Sequence, residues 1–500
     1  MGSKVPIRTL SSGVPGLDEV LGGGFPEYSL NLIVGGAGCG KTTLGQQIMF
    51  ASASPERKAL FFTVIGEPPI KMLRYMQQYS FFDEAKLQDC IRFIHLGDEA
   101  MDAGLGRVLE RIIEEVERAS PAIVVVDSFR AVVKRTLLAP AGEDDVQNFM
   151  QRLALHMTSC ETTTFLLGEY DLDELDSSVF TVSDGIIRLT QAVERNSIVR
   201  KLQVQKMRGQ AQIPGLQTMR LTDDGASVYP RILESHQAQS DFNPLQHRLT
   251  TGVQELDEMM GGGIPSGYSV LLAGPSGAGK TVLSNGFILE GIRRGEPGVI
   301  AVFEKRPQDY LQTTPHGEDF QKLIKDKKLE VVYVRPLDLS IDETLAAIQQ
   351  AVQRVGARRA VIDSLSGLEL ALAPTFREDF RESLYRMVGA LTGMGVTVMS
   401  TVELPDSFTI LQFSPHGIAF LSDAILMQRY LEIDGELRRA ISVVKVRGSQ
   451  HSKELREYEI SAHGKLVLGK SLKAYKGLLT GSPTLIGDAN GTNQSRTRKP

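Results

Sequence analysis

The chain has 500 residues, with 55 Lys and Arg against 60 Asp and Glu (formal net charge −5), 42% hydrophobic and 23% charged. This is a soluble globular balance, too long for one core, so two to four domains are expected; the slight acidity excludes wholesale wrapping of a phosphate backbone, leaving room only for a basic channel inside an assembly. Cys39, Cys90 and Cys160 lie far apart without metal spacing, no apolar run reaches the ~18–20 residues of a membrane span, and the N-terminus has no signal-type apolar core, so a cytoplasmic protein is expected.

The first chemical motif is Gly35-Gly-Ala-Gly-Cys-Gly-Lys41-Thr42, which reads G-x-x-x-x-G-K-T. Glycines let consecutive backbone N–H groups turn inward on a phosphate chain, the lysine reaches the β- and γ-phosphates, and the Thr hydroxyl completes a Mg²⁺ shell. A helix from Thr42 to about Ala53 follows, its N-terminal dipole facing the anion. Cys39 sits inside this loop, as a small residue or a redox-sensitive one. The apolar run Ala59–Ile65 predicts a buried parallel strand, Lys71–Tyr79 a helix after Pro68-Pro69, and Arg107–Ala119 a helix with Val108, Ile112, Ile113 and Val116 on one face. Ala122-Ile-Val-Val-Val-Asp127 is a strand ending in an acid about 85 residues behind the loop, the Walker B pattern whose carboxylate orients Mg²⁺. Thr162–Gly168 is a further strand, ending at Glu169, and Ile186–Leu189 with Ile198–Met207 reads as a hairpin. Strands alternating with helices imply βαβ units and a sheet covered on both faces.

From about residue 247 this grammar repeats. A shift of 239 residues lays Ser12–Glu19 on Thr251–Glu258, Gly22-Gly-Gly24 on Gly261-Gly-Gly263, the first loop on Gly274-Pro-Ser-Gly-Ala-Gly-Lys280-Thr281, and Lys206-Met-Arg208-Gly209 on Lys445-Val-Arg447-Gly448. Two large repeats mean tandem domains rather than a solenoid. The expected layout is 1–235 and 247–486 as α/β nucleotide-binding domains, a polar linker at 236–246, and a disordered tail at 487–500. In the second half Tyr268–Ala273 leads into the loop, Val299–Phe303 closes at Glu304, Arg359–Asp363 carries the second Walker B acid, and Gly395–Thr401 runs toward Glu403. Asp434-Gly435, between Ala424–Ile433 and Leu437–Val446, signals a hairpin, with Lys445 and Arg447 expected on one side of its second strand.

Over nearly its whole length the sequence resembles the KaiC-type circadian ATPase family. The carriers are L-D-E-x-x-G-G-G before each loop, two Walker B strands, two K-x-R-G motifs, and the ending Arg438–His451. The resemblance implies two tandem RecA-like P-loop domains, each a mostly parallel sheet flanked by helices. It also implies a homo-hexamer with ATP at subunit interfaces, small regulatory protein partners, and Ser/Thr autokinase activity in the second domain. The ATP ligands on matching positions are Gly35, Gly38, Gly40, Lys41, Thr42, Thr43, Lys206, Met207 and Arg208 in the first domain. In the second they are Gly274, Gly277, Ala278, Gly279, Lys280, Thr281, Val282, Arg439, Lys445, Val446, Arg447, Ser449, His451 and Lys453. Mg²⁺ is expected on Thr42 and Asp127, and on Thr281, Glu304 and Asp363.

Two departures qualify the resemblance. The family's strand after the loop ends in two glutamates, the first a general base; here the first half offers Ile65-Gly66-Glu67, without the pair, and the second Glu304-Lys305. Glu304 is therefore the expected base, with Glu67 a substitute only if its turn is shifted. The family's adjacent phospho-acceptors fall on Ala419 and Phe420, without hydroxyls; Ser414 and Ser422 are the nearby alternatives. A RecA- or helicase-like DNA motor is the competing reading, but Tyr170–Asp176 and Leu404–Phe408 are acidic or neutral and lack interleaved bases and aromatics. A scaffold in which ATP only holds subunits together is the third.

Overall fold

Runs rich in Val, Ile, Leu and Phe become the central strands of two sheets, buried on both faces as parallel strands must be. The computed structural model describes residues 6–63, 69–97, 104–130, 142–170, 178–194, 197–231, 247–315, 317–333, 340–372, 380–404, 418–478 and 484–485. The chain divides into two units, Met1–Arg231 and Ile232–Pro500. The expected linker at 236–246, the tail at 487–500, Glu67 and Ser414 lie outside the described residues.

The first unit holds β1 (Leu30–Gly35), β2 (Ala59–Thr63), β3 (Ile91–His95), β4 (Ile123–Asp127), β5 (Thr163–Gly168), β6 (Gly185–Glu194), β7 (Ser197–Met207), β8 (Gln217–Thr222) and β9 (Gly225–Tyr229). They form one sheet in the order β9-β8-β7-β6-β1-β5-β4-β2-β3. The strands from β6 through β3 run parallel, and β7, β8 and β9 are antiparallel additions. Alternation along each strand divides the core. Ile33, Phe61, Val125 and Leu167 pack with Leu44 and Ile48 of the helix Lys41–Ser52. Leu32, Leu60, Val124 and Leu166 face Leu109, Ile112 and Val116 of Gly104–Ala119 and Leu153 of Gly142–Ser159.

The second unit repeats this with β10 (Ser269–Gly274), β11 (Gly298–Val302), β12 (Leu329–Tyr333), β13 (Arg359–Asp363), β14 (Thr397–Glu403), β15 (Ala424–Ile433), β16 (Glu436–Val446), β17 (Leu455–Ile460) and β18 (Leu466–Ser471). Read from the other edge, the order β18-β17-β16-β15-β10-β14-β13-β11-β12 matches the first sheet strand for strand. Asp434 (φ 56°) and Gly435 (φ 78°) turn the β15–β16 hairpin, both left-handed as a type I′ turn requires.

Element bounds shift modestly from the expectations. The helix expected at Lys71–Tyr79 spans Pro69–Met76, and β11 ends at Val302, leaving Phe303 in the following bend. The edge strands β3 and β12 were not anticipated; with only Ile91 and Ile94, or Leu329 and Val332, buried, they give a weaker apolar signal than a strand buried on both faces. Lys445 is the penultimate residue of β16, and Arg447 lies just beyond its end. Both heads nonetheless converge on Ser422-Asp423.

Candidate active site

In each unit the phosphate loop leaves the central strand at its carboxyl end, where ligands of open α/β sheets bind. Gly40 (φ 102°) and Gly279 (φ 96°) occupy the N-cap positions of the helices Lys41–Ser52 and Lys280–Arg293 in left-handed backbone. A Cβ there would also meet Leu221 Cδ1 or Ile460 Cδ1 at 2.7 Å, so strain and space both require glycine. The lysines fold over their own loops: Lys41 Nζ donates to the carbonyls of Gly35 (2.9 Å) and Gly36 (2.8 Å), Lys280 Nζ to those of Gly274 (2.8 Å) and Pro275 (2.7 Å).

Each Walker B acid meets its loop threonine. Thr42 Oγ1 donates to Asp127 Oδ2 at 2.7 Å, and Thr281 Oγ1 to Asp363 Oδ2 at 2.9 Å. Burial pushes both carboxyls above the usual carboxylate range. The Thr42 hydroxyl and the Lys41 charge oppose this at Asp127, and the hydroxyls of Thr401 and Thr281 oppose it at Asp363. A hydroxyl and a carboxylate oxygen at the mouth of a phosphate cradle suit Mg²⁺, which binds through few protein oxygens and completes its shell with water and substrate phosphates.

The second site contains the expected base. Glu304, past the end of β11, is exposed, and its Oε1 accepts from Ser364 Oγ at 2.7 Å. Ser364 also receives the Gly367 N–H at 2.9 Å, capping the helix Leu365–Ala371. A cavity of about 540 Å³ collects Lys280, Thr281, Val282, Glu304, Lys305, Asp363, Ser364 and Glu403. Three features of this site escaped the sequence reading. Thr401 Oγ1 donates to Asp363 Oδ1 at 2.6 Å. The buried Tyr310 donates to Asn285 Oδ1 (2.7 Å), whose amide donates to Thr314 (3.2 Å), fixing the far wall. Tyr458 of β17 donates to the Ala278 carbonyl and so supports the loop from beneath. Only an acid closing a buried strand, as at Glu403, gave any sequence signal for such partners.

The first site differs in its walls. Its cavity, about 630 Å³, is lined by Thr42, Thr43, Thr63 and Asp127, with Met72, Tyr75, Met76 and Tyr79. Glu169 approaches Lys41 at 3.7 Å. Where Thr401 holds Asp363, the position of β5 paired with Asp127 is Leu167. Cys39 is buried with its thiol against the Gly36 carbonyl, and burial pushes that thiol up despite Lys41.

The K-x-R-G residues are not brought to their own loops. Ile186, the partner of Lys206, lies level with Leu32, and Ile425, the partner of Lys445, lies level with Leu271. Each is three residues short of its loop glycine, about 10 Å along the strand. A bulge at the same place in both hairpins re-aims the lysines. Lys206 Nζ donates to the carbonyls of Phe180 and Thr181, and Lys445 Nζ to that of Ser422. Arg208 pairs with Asp184 (3.1 Å) and Arg447 with Asp423 (3.0 Å), both arginines well exposed. Desolvation, then the neighbouring arginine, lowers the pKa of both lysines. Met207 and Val446 are buried, Ser449 accepts from Arg248 at 2.6 Å, His451 Nδ1 lies 3.0 Å from the Ser452 carbonyl, and Lys453 is exposed. Arg439 lies over the Tyr430 ring (5.8 Å).

At the acceptor positions, Ala419 is part-buried and Phe420 is half-exposed beneath the Arg381 guanidinium, 4.6 Å from its ring centre. Ser422 is 7% exposed.

A family model described as "ATPase: KaiC" matches residues 10–232 and again 249–471. Among curated relatives, a "Circadian clock oscillator protein KaiC" of Picosynechococcus is 29% identical over 493 residues, covering 96% of this chain and 92% of that protein. "Circadian clock oscillator protein KaiC 1" of Synechocystis is 28% identical over 496 residues (96% and 92%), and "Circadian clock protein KaiC3" of the same organism 26% over 499 (95% and 95%).

Proposed function

The chain belongs to the KaiC family of ATPases, and from that premise we propose that it binds ATP in both RecA-like domains and hydrolyses it chiefly in the second. The observation carrying this is Glu304, oriented by Ser364 in the same cavity as Lys280, Thr281 and Asp363. Loop N–H groups and Lys280 hold the phosphates, which localises and orients the γ-phosphoryl group. Glu304 Oε2, not engaged by Ser364, takes a proton from the attacking water as the water oxygen bonds to phosphorus and the bond to the β-phosphate oxygen breaks. Magnesium, which Thr281 and Asp363 would hold, would supply charge neutralisation on the phosphate oxygens.

Assembly belongs to the same reading. Lys206, Met207 and Arg208, like Lys445, Val446 and Arg447, stand at the sheet end away from their own loops, with exposed arginines. That placement supports contact with nucleotide in a neighbouring copy, as in a homo-hexamer. Regulation of circadian or stress type, through small protein partners, is proposed from the relatives' names and the resemblance.

For the kinase branch the supports are weaker: Ala419 and Phe420 carry no hydroxyl and Ser422 is buried. We assign the γ-phosphate to water. The test incubates purified protein with γ-labelled ATP and scores released phosphate and protein-bound label separately, beside E304Q. Free phosphate without label, lost in E304Q, is expected; label on the protein that vanishes in E304Q would overturn the assignment to water.

A further inference from the structure

Lys305 is a charge reversal beside Glu304, a cation where the family resemblance calls for a second glutamate. It lines the second cavity with Lys280, so two ammonium groups face one space from different elements, Lys280 at the loop and Lys305 beyond β11. Its Nζ donates only to Thr313 Oγ1, at 3.3 Å, and among the described residues it forms no ion pair with a carboxylate. The first domain carries Ile65-Gly66 at the matching sequence positions, without a cation.

A general base must lie beside the water that attacks the γ-phosphorus, and Lys305 lines the same cavity as Glu304, so it adds a second cation there to Lys280, which reaches the β- and γ-phosphates from the loop. We propose that Lys305 is a ligand of the terminal phosphate of a nucleoside triphosphate, and of the inorganic phosphate it becomes, giving the second site its preference for tri- over diphosphates. This rests on the reading of the second cavity as an ATP site. A diphosphate leaves Lys305 without its anion; a triphosphate adds one charge-assisted contact. The same contact slows phosphate departure, so added phosphate inhibits turnover.

The test uses the full chain with K41A to silence the first loop. It is titrated with ADP and with the non-hydrolysable triphosphate adenylyl imidodiphosphate, alone and combined with K305Q, K305E or K305R. The affinity ratio of triphosphate to diphosphate falls roughly tenfold in K305Q and further in K305E, with ADP affinity held within about twofold and K305R retaining the ratio. Inhibition of turnover by inorganic phosphate weakens in parallel in K305Q. Equal weakening of both nucleotides, or an unchanged ratio, overturns the proposal; because Lys305 is exposed, K305R with a normal melting curve separates loss of charge from loss of fold. A protein that binds the analogue but hydrolyses nothing sinks only the hydrolytic reading, while failure of the K41A protein to bind either nucleotide overturns both.

Discussion

Removing the Ser364 hydroxyl separates its two duties. Its Oγ donates to Glu304 Oε1 at 2.7 Å and accepts the Gly367 N–H at 2.9 Å, so S364A loses an orienting bond to the base and a helix cap together. Hydrogen bonds to charged groups are worth about 1.5–3 kcal/mol, but Glu304 is exposed and water replaces part of the bond. The lower end, about 1.5 kcal/mol, corresponds to a roughly tenfold fall in kcat. The lost cap costs about 1 kcal/mol of domain stability. A double-mutant cycle with E304Q distinguishes the two effects. E304Q alone lowers kcat roughly 10²–10⁴-fold with ATP affinity nearly unchanged, since the amide keeps the acceptor oxygen but cannot take a proton. In that background S364A has little further effect on rate yet still lowers the urea midpoint. If S364A reduces rate by the same factor with and without Glu304, Ser364 does not act through the base and the assignment fails.

Arg359 is 1% exposed, bonds Glu296 at 2.6 Å and donates to the Thr250 and Phe287 carbonyls at 2.8 Å; R359M costs roughly 3 kcal/mol in urea unfolding, because Glu296 remains partly hydrated, and an unchanged midpoint would refute the brace. Replacing Lys445 and Arg447 together by alanine leaves the circular-dichroism spectrum intact and abolishes ATP-dependent assembly in light scattering; retained assembly would remove these residues from the interface. Burial raises the Cys39 thiol above the usual cysteine range, so at pH 8 its thiolate fraction is below that of a free cysteine; its alkylation by iodoacetamide at pH 8 is slower than that of a free cysteine and gains as pH rises, and labelling at pH 8 as fast as a free thiol would contradict the buried placement.

What was legible in the sequence was whatever a local backbone demand or a continuous apolar run imposes. The glycines of the two loops, Asp127 and Asp363 at strand ends, and the Asp434-Gly435 turn are of this kind, and the family model agrees with the duplication that links them. Partners that meet only through the sheet were not legible. Thr401 reaches Asp363 across neighbouring strands, and Tyr458 reaches the Ala278 carbonyl 180 residues away. Neither residue type is unusual in a strand, so only the fold distinguishes it from its neighbours. Nor was the packing of Arg359 legible: it opens a buried strand, and only the fold shows that Gly291 leaves the space it fills, a Cβ there lying 2.3 Å from its Cδ.

The duplication also separates what the fold imposes from what chemistry selects. Strand order, loop backbone, Thr–Asp pair and hairpin bulge recur in both units, because each follows from the same backbone path. Several side chains packed around the loops do not recur. The first unit sets Leu167, Leu189 and Cys39 where the second has Thr401, Gln428 and Ala278; Leu167, Leu189 and Cys39 join one apolar cluster. An apolar setting leaves Asp127 with one hydroxyl donor, whereas Asp363 has two. A buried carboxylate that must stay ionised to hold a cation benefits from each added donor. The second unit thus sets two hydroxyl donors, Glu304 and Lys305 around its loop, while the first sets its loop in an apolar frame, and this difference supports the proposal that hydrolysis falls chiefly to the second unit.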